Sequence, residues 1–419
     1  MIAHLADIHL GAKPYQMEFR RKDIFEAFSE LVDTIIREKP DLVVVAGDFF
    51  DNPRPDNDTL IIALRELRKL VDKGFPIVFT YGEHDYPKVR DRTPVELLAE
   101  SFNGKVYAPP KIAFHGGRPV IDPFIYKMDG LTIYLTPFIK ASLEKRREIT
   151  KEIMTIFEND RRNRGGKALV VAHLSFETDF PFGSVLSSPA LLPRVDYAAM
   201  GHIHRPSICL EDCLDHGVTP YAYPGSLEAL RKDEIIEEGR GYYLVDLSGD
   251  EPVIHRVTIR SIRPQYVIES TPDRLMNDIG ILKLKHGDSW IKEPLIHVEL
   301  SVPRERRITG RTLNQLIETV KSKYRVHIRV WYKTIEEETR TRAESSVLDI
   351  RDMIARLLDP SRKKDKNKLL EVAGIILELK EVLLSGANED LENLFNRLSG
   401  YEKLLLDQEK APKTLDSYW

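Results

Sequence analysis

Six short apolar runs, each breaking off at a Gly, Pro or polar residue, recur through the first 260 residues: IAHLADIHL, DLVVVAGDF, FPIVFTYGEHD, LTIYLTPF, KALVVAHLSF and VDYAAMGHIH. The stretches between them carry helical spacing instead. Ile24, Phe25, Phe28, Leu31, Val32 and Ile35 would line one face of a helix after the first run. Further helices are expected over Asp58 to Val71 and Ser142 to Asp160. Alternation of this kind implies a layered α/β domain. GYYLVDLSG and EPVIHRVTI then suggest an antiparallel finish, so a core domain is expected over residues 1–260.

At 419 residues the chain exceeds what one hydrophobic core usually supports. The pattern restarts at Pro264 with QYVIES, a helix, ILKLKHG, PLIHVELSV, a helix at Thr312 to Lys321 and VHIRVWY, which is enough for a small second α/β domain over 261–335. Strands then vanish, and residues 340–410 read as a helical tail. Val347, Ile350, Ile354, Leu357 and Leu358 mark one apolar face, stopped by Pro360. Leu369, Leu370, Val372, Ile375, Ile376, Leu379, Val382 and Leu383 mark a second, and Leu391, Leu394, Phe395, Leu398, Leu404 and Leu405 a third. Three short helices bury little by themselves, so a partner is expected to cover them; the alternative is a self-contained helical hairpin.

No apolar run approaches the roughly 20 residues that span a bilayer, and Met1 to Gly11 enters a strand pattern rather than a signal peptide, which points to a cytoplasmic protein without membrane contact. Cys209 and Cys213 are too few for a disulfide framework and read as incidental. The net charge is −4 with 31% charged residues, so any contact with nucleic acid must come from local basic patches.

The chemistry-bearing residues cluster at strand ends, where open α/β sheets place their ligand crevice. Asp7-Ile8-His9 ends the first run with alternate side chains on one side of the chain, so a carboxylate and an imidazole can converge on one ion. Asp48 ends the second in GDFFD, where Gly47 allows close approach. Gly82-Glu83-His84-Asp85 ends the third, His173 a later one, and Gly201-His202-Ile203-His204 the next. A single D-x-H or H-x-H is weak, since an isolated match is more often a satisfied core or surface histidine. Five such motifs in order are not explained that way. Mixed imidazole and carboxylate ligands suit Mn, Fe or Zn, and without nearby cysteines a structural zinc cage is disfavoured. His4, His115, His216, His255, His286, His297 and His327 lack such partners and read as structural.

The order D-x-H, G-D, G-x-H-D, H, G-H-x-H resembles the calcineurin-like metallophosphoesterase superfamily over about the first 230 residues. The resemblance implies that Asp7, His9, Asp48 and His204 hold one metal, and that Asp48, Glu83, His173 and His202 hold a second, with Asp48 bridging. Two ions about 4 Å apart would bind the scissile phosphate and activate a water for in-line displacement. His84 would protonate the leaving oxygen or stabilise its charge.

Within that superfamily, DIHLG, GDFFDNPRP, GEHD, GHIH and YPGSLE resemble the archaeal Mre-eleven and bacterial SbcD nuclease family, over nearly the whole chain. This implies a manganese-dependent nuclease that processes DNA double-strand breaks, a second domain that caps the site and touches DNA, and a tail that docks onto an SMC-like ATPase, Rad-fifty. Val347, Ile350, Ile354, Leu357, Leu369, Ile375, Ile376 and Leu379 would carry that docking. A homodimer is implied too, through Leu60, Leu64, Leu67, Leu97 and Leu98, unless these only line the core. Lys13, Tyr15, Arg20, Arg21, Lys22, Lys88, Arg90 and Arg92 would grip DNA phosphates, with a solvated rim as the alternative.

Two positions depart from the family pattern: Glu83 stands where asparagine is usual, and Asp51 where a histidine is common. Both add negative charge near an anionic substrate. Weaker or differently selective nuclease activity is therefore expected. The alternatives are a small-molecule phosphodiesterase and a DNA-end-binding scaffold with weakened catalysis.

Overall fold

The computed structural model describes residues 1–87, 92–178, 184–303 and 310–335, with a few more between 368 and 375 and Tyr401. The chain divides into two compact units, Met1–Glu336 and Glu337–Trp419.

Two six-stranded sheets build most of the first unit. In one, Ile2–Leu5 lies between Leu42–Ala46, to which it is parallel, and Gly241–Asp246, to which it is antiparallel. Ile77–Thr80 and Val106–Tyr107 extend the sheet on one side and Val253–Thr258 closes it on the other. The second sheet runs in the order Ser207–Cys209, Tyr221–Tyr223, Tyr197–Gly201, Lys167–His173, Leu131–Leu135, Ile125–Met128.

The period of two along a strand explains how the layers stack. Val43 and Val45 join Ile24, Phe28, Leu31, Val32 and Ile35 of the Glu18–Glu38 helix and Leu67 and Leu70 of the Asn57–Asp72 helix. Leu42, Val44 and Ala46 turn the other way, into the cluster that contains Leu169, Val171 and Ala199 of the second sheet. Each fully buried side chain of that size contributes on the order of 1.5–3 kcal/mol. His4 ties the sheets together in this dry layer, with Nδ1 2.8 Å from the Tyr197 hydroxyl and Nε2 3.1 Å from Met200 O. On the far side of the second sheet, Tyr134 packs on Phe157 and donates to Asp160 of the Leu143–Arg162 helix. Asp56, Thr93 and Ser142 cap the helices that follow them by accepting from backbone N–H groups of the first turn.

Gln265–Ser270, Leu295–Pro303 and His327–Ile335 form a separate parallel sheet. It is joined by the crossover helices Leu275–His286 and Gly310–Tyr324 over its own core of Leu275, Ile279, Ile296, Val298, Leu300, Leu313 and Val320. The run ILKLKHG, expected as a strand, lies within the first of these helices except for its glycine. Parallel neighbours need a crossover, and apolar residues on both sides of this helix, with Ile281 and Leu284 exposed, blur its period. This sheet belongs to the same compact unit as the core. Asp23 of the Glu18–Glu38 helix meets Arg263 at 2.6 Å and Lys292 at 3.3 Å.

Cys209 and Cys213, expected to be incidental, are joined by a disulfide. One turn between the strand end and the short Glu211–Asp215 helix sets their Cα atoms 5.6 Å apart, within bonding range. In the second unit, Leu369 and Ile375 were expected to offer an apolar face to a partner, but they are buried, as is Val372. Val347, Ile350, Ile354, Leu357, Ile376 and Leu379 lie outside the described residues. Among the described residues no helix is long and apolar enough to cross a membrane.

Candidate metal centre

The strand ends bring all seven expected ligands into one crevice. Asp7, His9 and His204 offer atoms within 4.8 Å of one another, and so do Glu83, His173 and His202. Asp48 sits between the two groups: its Oδ2 is 3.8 Å from His9 Nε2 and 3.2 Å from His173 Nε2. Its other oxygen accepts from the His84 backbone N–H at 2.9 Å, so Oδ2 is left for a shared ion. Asp7 is similarly oriented by the His202 N–H, and Glu83 reaches His173 at 3.5 Å and His202 at 3.4 Å.

Reaching this convergence strains the backbone. Asp7, His9, Asp48 and His202 adopt φ of 49°, 46°, 47° and 97°, a region that costs non-glycine residues on the order of 1–3 kcal/mol and persists where the surroundings enforce it. Gly47 and Gly82 are required for the same reason. A Cβ on Gly47 would run into the His173 ring, and one on Gly82 into the Asp48 carboxylate.

Hydrogen bonds fix which imidazole nitrogen faces the crevice. His173 Nδ1 donates to Ala46 O at 2.9 Å, which leaves Nε2 facing the carboxylates of Asp48 and Glu83. His204 Nδ1 lies 2.9 Å from Glu234, and its Nε2 comes within 3.1 Å of His9 Nε2. Ring nitrogens of His9, His173, His202 and His204 and several carboxylate oxygens, crowded together, form a donor set that fits divalent cations. Burial opposes charge on His173, but the carboxylates of Asp48 and Glu83 raise it well above the ordinary imidazole value. His204 is raised as well, its bond to Glu234 and the Asp7 charge outweighing burial. Burial likewise works against ionised Asp48, yet His173 and His9 bring its carboxyl down to about 2.

His84 is exposed, and its Nδ1 lies 2.7 Å from Asp51 O, leaving Nε2 for proton transfer. The Asp51 carboxylate stands 3.6 Å from His9 Nδ1. Asp85, which the motif included without a role, accepts from the N–H groups of Phe49, Phe50 and Gly82. It thereby locks two ligand loops to each other. Glu234 gave no signal in the sequence, because its partner His204 lies 30 residues away.

The expected DNA contacts divide. Arg20 is wholly buried and paired with Asp23 and Glu228 at 2.7 Å each, so it is a core ion pair and not a phosphate grip. Lys13 pairs with Glu18, Arg21 with Glu18 and Asp56, and Arg92 with Glu100. Lys22 is exposed, Tyr15 is half-buried against His297, and Lys88 and Arg90 lie outside the described residues. Of the leucines expected at a dimer interface, Leu67 and Leu98 are core residues, at 2% and 0% exposure. Leu60 and Leu64 pack partly against that core, and Leu97 is exposed. The buried pair face the sheet because their helices cover its outer layer.

The calcineurin-like phosphoesterase family profile matches residues 1–206. The DNA double-strand break repair protein Mre11 of Aeropyrum pernix is 38% identical over 71% of this chain and 72% of its own. The chain belongs to the Mre11 family. The Mre11 protein of Sulfurisphaera tokodaii is 30% identical over 72% of this chain and 74% of its own, and that of Sulfolobus acidocaldarius is 27% identical over 96% and 99%. Similarity to Mre11 thus extends past the phosphoesterase core into the parallel sheet and the residues beyond it. As a member of this family the chain is a metal-dependent phosphodiesterase.

Proposed function

We propose that the chain is a two-metal DNA nuclease that cuts at broken ends and in single strands, and that Asp7, His9, Asp48 and His204 hold one ion while Asp48, Glu83, His173 and His202 hold the other. The observation that carries this is Asp48 Oδ2, set between two imidazole-carboxylate groups with its second oxygen already engaged. When bound, the ions, manganese in this reading, supply charge neutralisation at the scissile phosphate and an activated water. The protein residues do the positioning. Asp7 and Asp48 are oriented by the N–H groups of His202 and His84, and the Ala46 carbonyl and Glu234 select the tautomers of His173 and His204. As the imidazolium, His84 gives its Nε2 proton to the departing sugar oxygen and is left as the neutral ring, whose Nδ1–H the Asp51 carbonyl holds in place.

A homodimer, docking of residues 340–410 onto the Rad-fifty ATPase, and a cytoplasmic setting complete this reading. Residues 261–335 serve as the capping module of the 1–260 core. A scaffold with weakened catalysis is the second reading, favoured by Glu83, whose half-exposed carboxylate adds charge where the substrate must approach. A manganese-dependent assay on single-stranded and duplex ends separates the two. Glu83→Asn is expected to cut faster than the native chain; equal rates reject the penalty assigned to Glu83, and no cutting by either favours the scaffold.

A further inference from the structure

The parallel sheet of residues 265–335 turns one face to its helices and the other to the loop that follows the first metal motif. Ile296, Val298 and Leu300 point into the helix-covered core, so their neighbours His297 and Glu299 point the opposite way. The register places Arg329 beside His297 and Trp331 beside Glu299 on that same face. Against it sits Tyr15, whose ring centre is 5.2 Å from His297 and 6.4 Å from Trp331. The Arg329 guanidinium lies 3.7 Å from the Tyr15 ring centre and 4.5 Å from that of Trp331, and Lys232 approaches Trp331 at 4.9 Å.

Three features set this cluster apart from ordinary packing. His297 Nδ1 is buried without a hydrogen-bond partner, and the Tyr15 hydroxyl and the Arg329 guanidinium, which face each other, are buried short of good hydrogen-bond geometry. Tyr15 and Gln16 both hold φ of 61°, a conformation side chains adopt only under constraint. The cluster is also close in sequence to the metal centre. Tyr15 is six residues beyond His9, and Lys232 is two residues before Glu234, the partner of His204.

We propose that this cluster is a binding site for one unpaired nucleobase of single-stranded DNA, which stacks on the Trp331 face that the Arg329 guanidinium vacates and meets His297 Nδ1, Tyr15 Oη and the displaced Arg329 guanidinium with its polar edge. The inference rests on the DNA nuclease reading above. Aromatic rings interleaved with cations are how single strands are held without sequence preference. The hydrogen-bond inventory matches a base edge. His297 Nε2 donates to Gln265 Oε1, whose amide is fixed by its own bond to Ala229 O, and burial beside Arg329, Arg20 and Lys232 keeps the ring neutral. Nδ1 is therefore an acceptor for a ring N–H or exocyclic amine, while Tyr15 and Arg329 donate to a ring nitrogen or carbonyl.

The test walks 2-aminopurine along a short single strand, with fluorescence read by rapid mixing with the full-length, manganese-loaded chain. Quenching is expected at one or two adjacent positions, lost in Trp331→Ala and retained in Trp331→Phe. Trp331→Ala and Arg329→Met are each expected to weaken binding about 10-fold on an intact strand, within the range for one base–aromatic stack, and not at all when that position is abasic. Melting temperature and uptake of two ions confirm that the variants fold. Quenching at every position alike, or equal losses on intact and abasic strands, overturns the site. Position-specific quenching by a chain that hydrolyses small phosphodiesters but leaves DNA uncut supports the site and overturns the nuclease reading instead.

Discussion

Arg20→Met should destabilise the protein without weakening its grip on DNA phosphates. The guanidinium is fully buried, bonded through Nη1 to Asp23 and through Nη2 to Glu228 and to Ala229 O at 3.1 Å. Methionine fills most of the volume but leaves both carboxylates short of a partner. Asp23 keeps two bonds from Arg263 and one from Lys292, so its loss is partial. Among the described residues Glu228 keeps only the Arg263 backbone N–H at 3.1 Å, so its second oxygen is stranded. Breaking a buried pair from one side costs about 3–5 kcal/mol, and the surviving bonds on Asp23 place this case near 3. Urea unfolding of the native chain, Arg20→Met, and the double variant Arg20→Met with Glu228→Gln measures it. The double variant should recover at least about 1 kcal/mol, because an amide is cheaper to leave unpaired than a carboxylate. A cost below about 1 kcal/mol for Arg20→Met, together with a flatter salt dependence of DNA binding, would refute the assignment and restore Arg20 as a phosphate contact.

Gly82→Ala drives a methyl group into the Asp48 carboxylate, and metal affinity is expected to fall about 10–100-fold in a calorimetric manganese titration; unchanged affinity would show that the loop yields freely. His4 supplies a pH dependence. Burial in the inter-sheet layer holds its pKa at about 3, below the ordinary 6.5, so the contribution is complete above pH 6.5 and is lost as pH falls from there towards 3, by up to about 1.4 kcal/mol per unit. Denaturant midpoints at several pH values should therefore decline less steeply for His4→Gln, and parallel slopes would dismiss His4 as the source.

What the sequence made legible was local. Strand ends carrying Asp7, Asp48, Glu83, His173 and His202 could be found because apolar runs, glycines and ligand spacing all sit within a few residues of one another. The Asn57–Asp72 helix, expected over Asp58 to Val71, likewise follows from local pattern, and its Asp56 cap came with the structure. What stayed hidden depends on distant partners. Arg20 looks like any basic residue near a motif until Glu228, 208 positions away, closes on it. Leu67 and Leu98 could not be sorted from Leu97 without knowing which helix face meets the sheet. Glu234 is one carboxylate among many until the chain brings it beside His204. The strand-like run at Ile281 became a helix because a parallel sheet demanded a crossover there.

The bridging role of Asp48 is the point on which the whole assignment turns, and electron paramagnetic resonance of the manganese-loaded chain reads it directly. At two equivalents of metal the native chain should show the signal of an exchange-coupled pair, and Asp48→Ala only the six-line spectrum of isolated ions. An uncoupled six-line spectrum from the native chain at full occupancy would contradict a shared carboxylate between the two sites.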